Sequence, residues 1–218
     1  MKNRKRIIVV LLCFVAVLTT ISAQNTFMGS DGSNGYSYVD LGLPSGLKWA
    51  TCNVGATKPE EIGYFFAWGE VEPKEDYSLG NYKWYNASDS IYTKYYTDSN
   101  KVVLDKEDDA AAVNMGGYWR MPTKEEFEEL ISCCKWRAKK KGFKVIGPNG
   151  NSIFFPFYYF SDYGYRCGIY WTSSLHSLYA SDSSVLNIAL QPPPYAFKSF
   201  FCIREKRHTG NLVRGVYD

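Results

Sequence analysis

Histidine is almost missing from this chain of 218 residues: His176 and His208 are the only two, which argues against an imidazole-based zinc site. Cysteine is sparse as well, and no C-x-x-C spacing occurs that would suggest a metal knuckle. No G-x-S-x-G, P-loop, G-x-G-x-x-G or H-E-x-x-H pattern is present, so the common local signatures of hydrolase, nucleotide and metalloprotease chemistry are excluded. There is no internal repeat, and the run Pro192–Pro194 is the sole low-complexity tract. A strong charge of one sign is also lacking. The formal net charge is +3, and Lys2, Arg4, Lys5 and Arg6 all lie in the first segment, whose removal leaves −1. A nearly neutral chain without a basic stripe is a poor nucleic-acid binder, so no nucleic-acid partner is expected.

That first segment has a function of its own. A basic "MKNRKR", an apolar "IIVVLLCFVAVLTTI" and the small residues of "SAQ" make the pattern of a secretory signal peptide, residues 1–23, cut after Ala23. The apolar run is too short for a membrane span, so no stable span is expected after cleavage. Export to the periplasm, the outer surface or the medium follows as the expected localisation. Five cysteines remain: Cys52, Cys133, Cys134, Cys167 and Cys202. In an exported protein one or two disulfides and buried free thiols are both open readings.

What the chain does have is aromatic surface, with 18 Tyr, 13 Phe and 6 Trp. That supply suits both a filled core and a Tyr-studded exterior. Residues 24–35, "QNTFMGSDGSNG", are polar and Gly-rich and read as a flexible leader. "YSYVDLGL" and "LKWATCNV" around "PSG" read as two strands and a tight turn. Residues 71–106 read as a long surface excursion with little regular structure.

The stretch "GGYWRMPTKEEFEELI" carries the clearest local signal. Thr123 with Glu126 is a capping box, and Phe127, Leu130, Ile131 and Cys134 form one apolar helical stripe. Glu125, Glu126, Glu128 and Glu129 then complement the positive end of the helix dipole on a solvated face. Arg137, Lys139, Lys140 and Lys141 are expected to complement its negative end. The adjacent Asp108 and Asp109 are expected to be solvated or to cap a helix rather than to act as an acid–base pair. Beyond the helix, "FKVIG", "NSIFFPF", "IYWTSS", "SVLNIAL", "SFFCIRE" and "NLVRGVY" read as strands, with Tyr170 and Trp171 filling the core.

Six segments occur in order: "YVDLGLPSGLKWATCNVGA", "PEEIGYFFAWGE", "LDKEDDAAAVNMGGYWRMPTKEEFEEL", "GNSIFFP", "YWTSS" and "GNLVRGV". Together, from about Tyr36 to Val216, they resemble the Fibrobacter succinogenes major paralogous domain of exported Bacteroidetes proteins. The resemblance implies an α+β domain over residues 36–218 with a C-type-lectin-like fold: one long helix packed on short antiparallel sheets, with long surface loops. It also implies kinship with the formylglycine-generating (sulfatase-modifying) domain, whose "RLPTEAEWE" corresponds to "RMPTKEEFE" here, and framework roles for Trp119, Arg120 and Pro122. The enzyme branch uses a closely spaced cysteine pair, whereas Cys167 and Cys202 stand far apart.

Three functions are weighed: a binding module, an envelope or fimbrial structural component, and a sulfatase-modifying-type oxidase. The Tyr, Ser, Gly and Asp of residues 158–182 favour the first, a non-catalytic domain for a glycan or protein ligand, with no cofactor and no metal. The expected ligand contacts are Tyr163, Tyr165, His176, Tyr179, Tyr195 and Phe197. The rigid backbone of the three prolines lowers the ordering cost of presenting the last two.

Overall fold

In the computed structural model of the chain, residues 28–30, 35–96, 101–160, 165–176, 182–191 and 197–218 are described. The elements begin with β1 (Met28–Ser30), β2 (Ser37–Asp40), β3 (Lys48–Asn53), β4 (Phe65–Phe66), β5 (Tyr85–Asn86) and β6 (Ile91–Tyr92). Next come α1 (Ala110–Met115), β7 (Trp119–Arg120), α2 (Lys124–Cys133), β8 (Lys135–Lys139), β9 (Gly142–Ile146) and β10 (Ser152–Pro156). The last are β11 (Tyr159–Phe160), β12 (Arg166–Leu175), β13 (Asp182–Gln191), β14 (Phe197–Lys206), β15 (Asn211–Leu212) and β16 (Arg214–Tyr217).

The strands pair in the orders β1-β2-β3-β16-β7, β10-β9-β8 and β14-β13-β12-β15-β4, with β11 beside β12 and β5-β6 as a separate hairpin. All the pairings are antiparallel except β12 with β15. This is a mixed α+β domain of mostly short antiparallel sheets and few helices. The tight turn at "PSG" is present, with the Gly46 N–H bonded to the Leu43 carbonyl. Met28–Ser30, inside the segment expected to be a leader, pairs with β2.

β12 divides the core. Tyr170 packs with Trp49, Phe127, Leu130, Phe143 and Phe155, whereas Trp171 packs with Phe66, Trp68, Met115 and Trp119. Successive side chains of a strand point to opposite faces, so two adjacent aromatics serve two cores. A strand buried on both faces must read as a near-continuous apolar or small-residue run, which "GIYWTSSL" does. Trp68 and Trp171 lock this junction reciprocally: one indole N–H donates to the Thr172 carbonyl, the other to that of Phe66.

The helix is shorter than the charge pattern implied. α2 has ten residues and ends where the Cys134 N–H reaches the Leu130 carbonyl. The basic residues Arg137 and Lys139 lie on β8, Lys141 precedes β9, and none extends the helix. The reason is a change of period: "KWRAK" alternates exposed and half-buried, and Trp136 packs edge-on to Phe143 and tilted against Phe155 and Phe200. The acids differ from expectation too. Glu126 takes two hydrogen bonds from Arg120 at 2.7 and 2.8 Å, and Glu129 accepts both the Ser45 N–H and hydroxyl. Asp108 and Asp109 are buried rather than solvated, while Asp109 meets the other expectation by capping α1, its carboxylate accepting the Ala111 and Ala112 N–H groups.

The capping box is formed: Thr123 Oγ1 accepts the Glu126 N–H at 3.3 Å, and the Glu126 carboxylate accepts the Thr123 N–H at 2.8 Å. Thr123→Ala is expected to lower stability by about 1 kcal/mol. A shifted urea midpoint with an unchanged m-value would show it.

The excursion at residues 71–106 is largely irregular, yet it is pinned from beneath. Asp108, 2 % exposed, accepts the Tyr95 hydroxyl, Lys83 Nζ and Lys94 Nζ. Next to it, hydrogen bonds from Lys101 and Lys94 hold the Asp105 carboxyl down at about 2.

Candidate functional site

Three segments remote in sequence meet at the N-terminal end of α2. Residues 102–104 lie along the end of β12, with the Leu104 N–H on the Ser173 carbonyl and the Leu175 N–H on the Val102 carbonyl. From the other side, the Pro122 carbonyl accepts the Ser173 N–H, and Ser174 Oγ accepts the Lys124 N–H. Between them runs a cleft with two lobes that share Val103. One lobe, about 340 Å3, is lined chiefly by Val103, Tyr118, Trp119, Arg120 and Asp218. The other, about 270 Å3, is lined by Val102, Lys124, Glu125, Ser174 and His176.

The cleft's exposed apolar surface has a local cause. Gly116 and Gly117, at φ of 74° and 58°, turn the chain out of α1 in a left-handed conformation that favours glycine. Tyr118, in the turn before β7, is left 72 % exposed, whereas Trp119, the first residue of β7, is 1 % exposed. Val102 and Val103 are 62 % and 41 % exposed on the opposite wall.

Asp109, Arg120 and Asp218, the ionic groups at the base of the first lobe, are occupied by internal bonds, whereas Glu125 of the second lobe is exposed. Asp109 Oδ1 accepts the N–H groups of Ala111 and Ala112, and Oδ2 accepts that of Met121. Burial pushes its carboxyl above the usual carboxylate range, against those three N–H groups and Arg120. Arg120 is clamped by Glu126 and by Asp218, the latter at 2.7 and 2.9 Å. Its hydrogen bonds to Glu126 raise the guanidinium pKa despite burial, and those to Asp218 add to the effect. A buried carboxylate holding three backbone donors is a cap and a tie between α1 and the chain before α2.

Of the expected ligand contacts, His176 lines the second lobe. Tyr165 is half-buried at the other end of β12, its ring 6.2 Å from Tyr159. The backbone of Phe197 pairs with Gln191, and Leu190 pairs with Arg166, so Phe197 belongs to the Tyr165 end. At a rise of about 3.3 Å per residue, Tyr165 and His176 are up to roughly 36 Å apart. One small ligand cannot bridge them. Tyr163, Tyr179 and Tyr195 lie outside the described residues.

The sequence reading missed Tyr118, Val102 and Val103. For Tyr118 the signal was the double glycine, which places the next residue in an exposed turn. For the valines it was an apolar "VVL" inside an otherwise polar excursion.

Among the described residues the cysteines are free thiols: Cys52 and Cys167 are buried, and Cys133, Cys134 and Cys202 half-buried. Burial pushes the thiols of Cys134 and Cys202 up to about 12, and that of Cys167 upward too. Such thiols hold little thiolate near neutral pH and are poor nucleophiles. Cys167 sits opposite Ala189 and Cys202 opposite Leu186, on strands separated by β13. Among the described residues, no three His, Cys, Asp or Glu side chains gather as a metal set, and no helix is long and apolar enough to cross a membrane. No family model, no curated protein and no solved structure matches the chain.

Proposed function

We propose that this chain is an exported, non-catalytic binding domain that recognises a glycan or protein through the cleft at the start of α2. The observation that carries the reading is the division of labour in that cleft. Its apolar residues Tyr118, Val102 and Val103 are presented to solvent, while Asp109, Arg120 and Glu126 are bound to one another or to backbone. The first lobe thus offers contact area and orientation without a poised acid or base. The α+β architecture and the capped "WRMPT" segment support the C-type-lectin-like scaffold and the Fibrobacter succinogenes major paralogous relationship. The signal-like segment supports display in the periplasm, on the outer surface or outside the cell. Tyr165 and Phe197, at the far end of β12, are proposed as a separate contact that a ligand held in the cleft does not reach, and Tyr163, Tyr179 and Tyr195 stay in the proposal as ligand contacts.

The test is an array screen of the mature chain against glycans and peptides, followed by variants. Tyr118→Ala should weaken binding about tenfold, equivalent to ~1.4 kcal/mol, with the melting temperature nearly unchanged. His176→Ala should weaken it in the same direction, and Tyr165→Ala should not. If Tyr165→Ala abolishes binding while Tyr118→Ala leaves it intact, the site moves to the other end of β12.

A further inference from the structure

We infer that the cleft takes an extended polypeptide, which pairs through its main chain with an open strand edge at Val103; this rests on the cleft being the binding site.

The edge follows from the hydrogen-bond pattern. Val103 and Ser174 face each other as an antiparallel pair, but the bonds that hold them belong to their neighbours, Leu104 to Ser173 and Leu175 to Val102. In such a pair the opposed residues turn their own N–H and C=O groups away from each other. The N–H and C=O of Val103 therefore point outward, and among the described residues neither has a protein partner. Two positions on, the equivalent N–H of Asp105 is closed off by the Tyr95 hydroxyl at 2.9 Å. The opening is thus confined to the cleft.

An edge of this kind is a template for another strand, and proteins usually blunt it with proline, a bulge or a covering loop. Here it carries two exposed β-branched residues, Val102 and Val103, which favour a strand partner. The charges decide between classes of chain. Lys106 and Lys124 are balanced by Glu125 and Asp218 across the two lobes, so no field selects a polyanion. What remains unsatisfied is a peptide donor and a peptide acceptor on one residue. A segment of uncharged, β-prone polypeptide matches both, and the lobes on either side of Val103 leave room for its side chains.

The probe is a random linear peptide library displayed on phage, selected against the mature chain, with one enriched peptide then synthesised. Enriched peptides should be rich in Val, Ile, Thr and aromatic residues. N-methylation should abolish binding at alternate amides of one register and be tolerated in the other, since alternate amides of an edge strand face away from its partner. Val103→Pro removes only the outward donor, and should weaken binding at least tenfold with the melting temperature held. Leu104→Pro, which removes the bond to Ser173, should instead lower the melting temperature. Should Val103→Pro prove unstable, the methylation register decides alone. Failure to enrich any peptide, indifference to the methylation register, or full binding by a folded Val103→Pro overturns the inference. A glycan whose binding falls with Tyr118→Ala but ignores Val103→Pro would keep the cleft and remove the peptide. Peptide binding indifferent to Tyr118→Ala would remove the cleft.

Discussion

Replacing Arg214 with methionine is expected to lower the unfolding free energy by more than about 3 kcal/mol. Arg214 lies on β16 with no exposed surface, and among the described residues no carboxylate pairs with it. Its guanidinium donates instead to Asn53 Oδ1, the carbonyls of Ala50 and Thr51 on β3, and the carbonyl of Phe154 on β10. It also lies over the Phe155 ring at 4.7 Å. One side chain therefore bolts the β2-β3-β16 sheet to the β8-β9-β10 sheet. Burial lowers its pKa to about 10, which still leaves it charged at neutral pH. Methionine fills much of the volume but strands four acceptors away from water, and each unsatisfied buried group costs about 1–3 kcal/mol where no relaxation occurs. Arg214→Lys keeps the charge, yet a single ammonium cannot span both sheets, so it should fall between parent and methionine. Urea midpoints for the two variants check the order. A methionine variant as stable as the parent would mean that the carbonyls are rehydrated and the bolt is idle.

The contrast between Arg214 and the helix marks how far the sequence could be read. Thr123, Glu126, Phe127 and Leu130 were legible because capping and a 3.6-residue period are local, and the structure holds all four in the expected roles. The apolar runs of β9, β10, β12 and β16 were legible for the same reason. Nothing local distinguishes Arg214 or Arg207, both fully buried, from the exposed Arg137. Which arginine goes inside depends on carbonyls supplied by distant strands. The helix end was misread because the basic residues after Cys134 satisfy two descriptions, a dipole complement and the outer face of β8. Trp136, whose ring needed Phe143 and Phe200, decided for the strand. The cleft was illegible as a unit, since residues 102–104, 118–125 and 173–176 meet only after β12 has been threaded between two cores.

Arg207→Met should cost about 3–5 kcal/mol as well, but with a local signature that Arg214→Met lacks. Arg207 precedes β15, has no exposed surface, and reaches into the excursion rather than across the sheets. It donates to the Tyr82 hydroxyl and to the carbonyls of Tyr95 and Lys94, at 3.0–3.1 Å. The rings of Trp68 and Tyr92 lie 4.9 and 4.8 Å from its guanidinium carbon, close enough for desolvated cation–π contacts of about 2 kcal/mol each. Since these partners fall mainly between Trp68 and Tyr95, losing the cation should loosen that segment first. Hydrogen exchange should quicken across residues 82–96 while β3 and β16 stay protected. The effect should then travel to the cleft, because the Tyr95 hydroxyl holds both Asp108 and the Asp105 N–H directly behind the Val103 edge. Arg207→Met should thus weaken ligand binding from outside the cleft and lower stability with it, whereas Tyr118→Ala weakens binding alone. Equal acceleration of exchange in β3 and β16 would show that Arg207 serves the whole core and that the cleft wall does not depend on it.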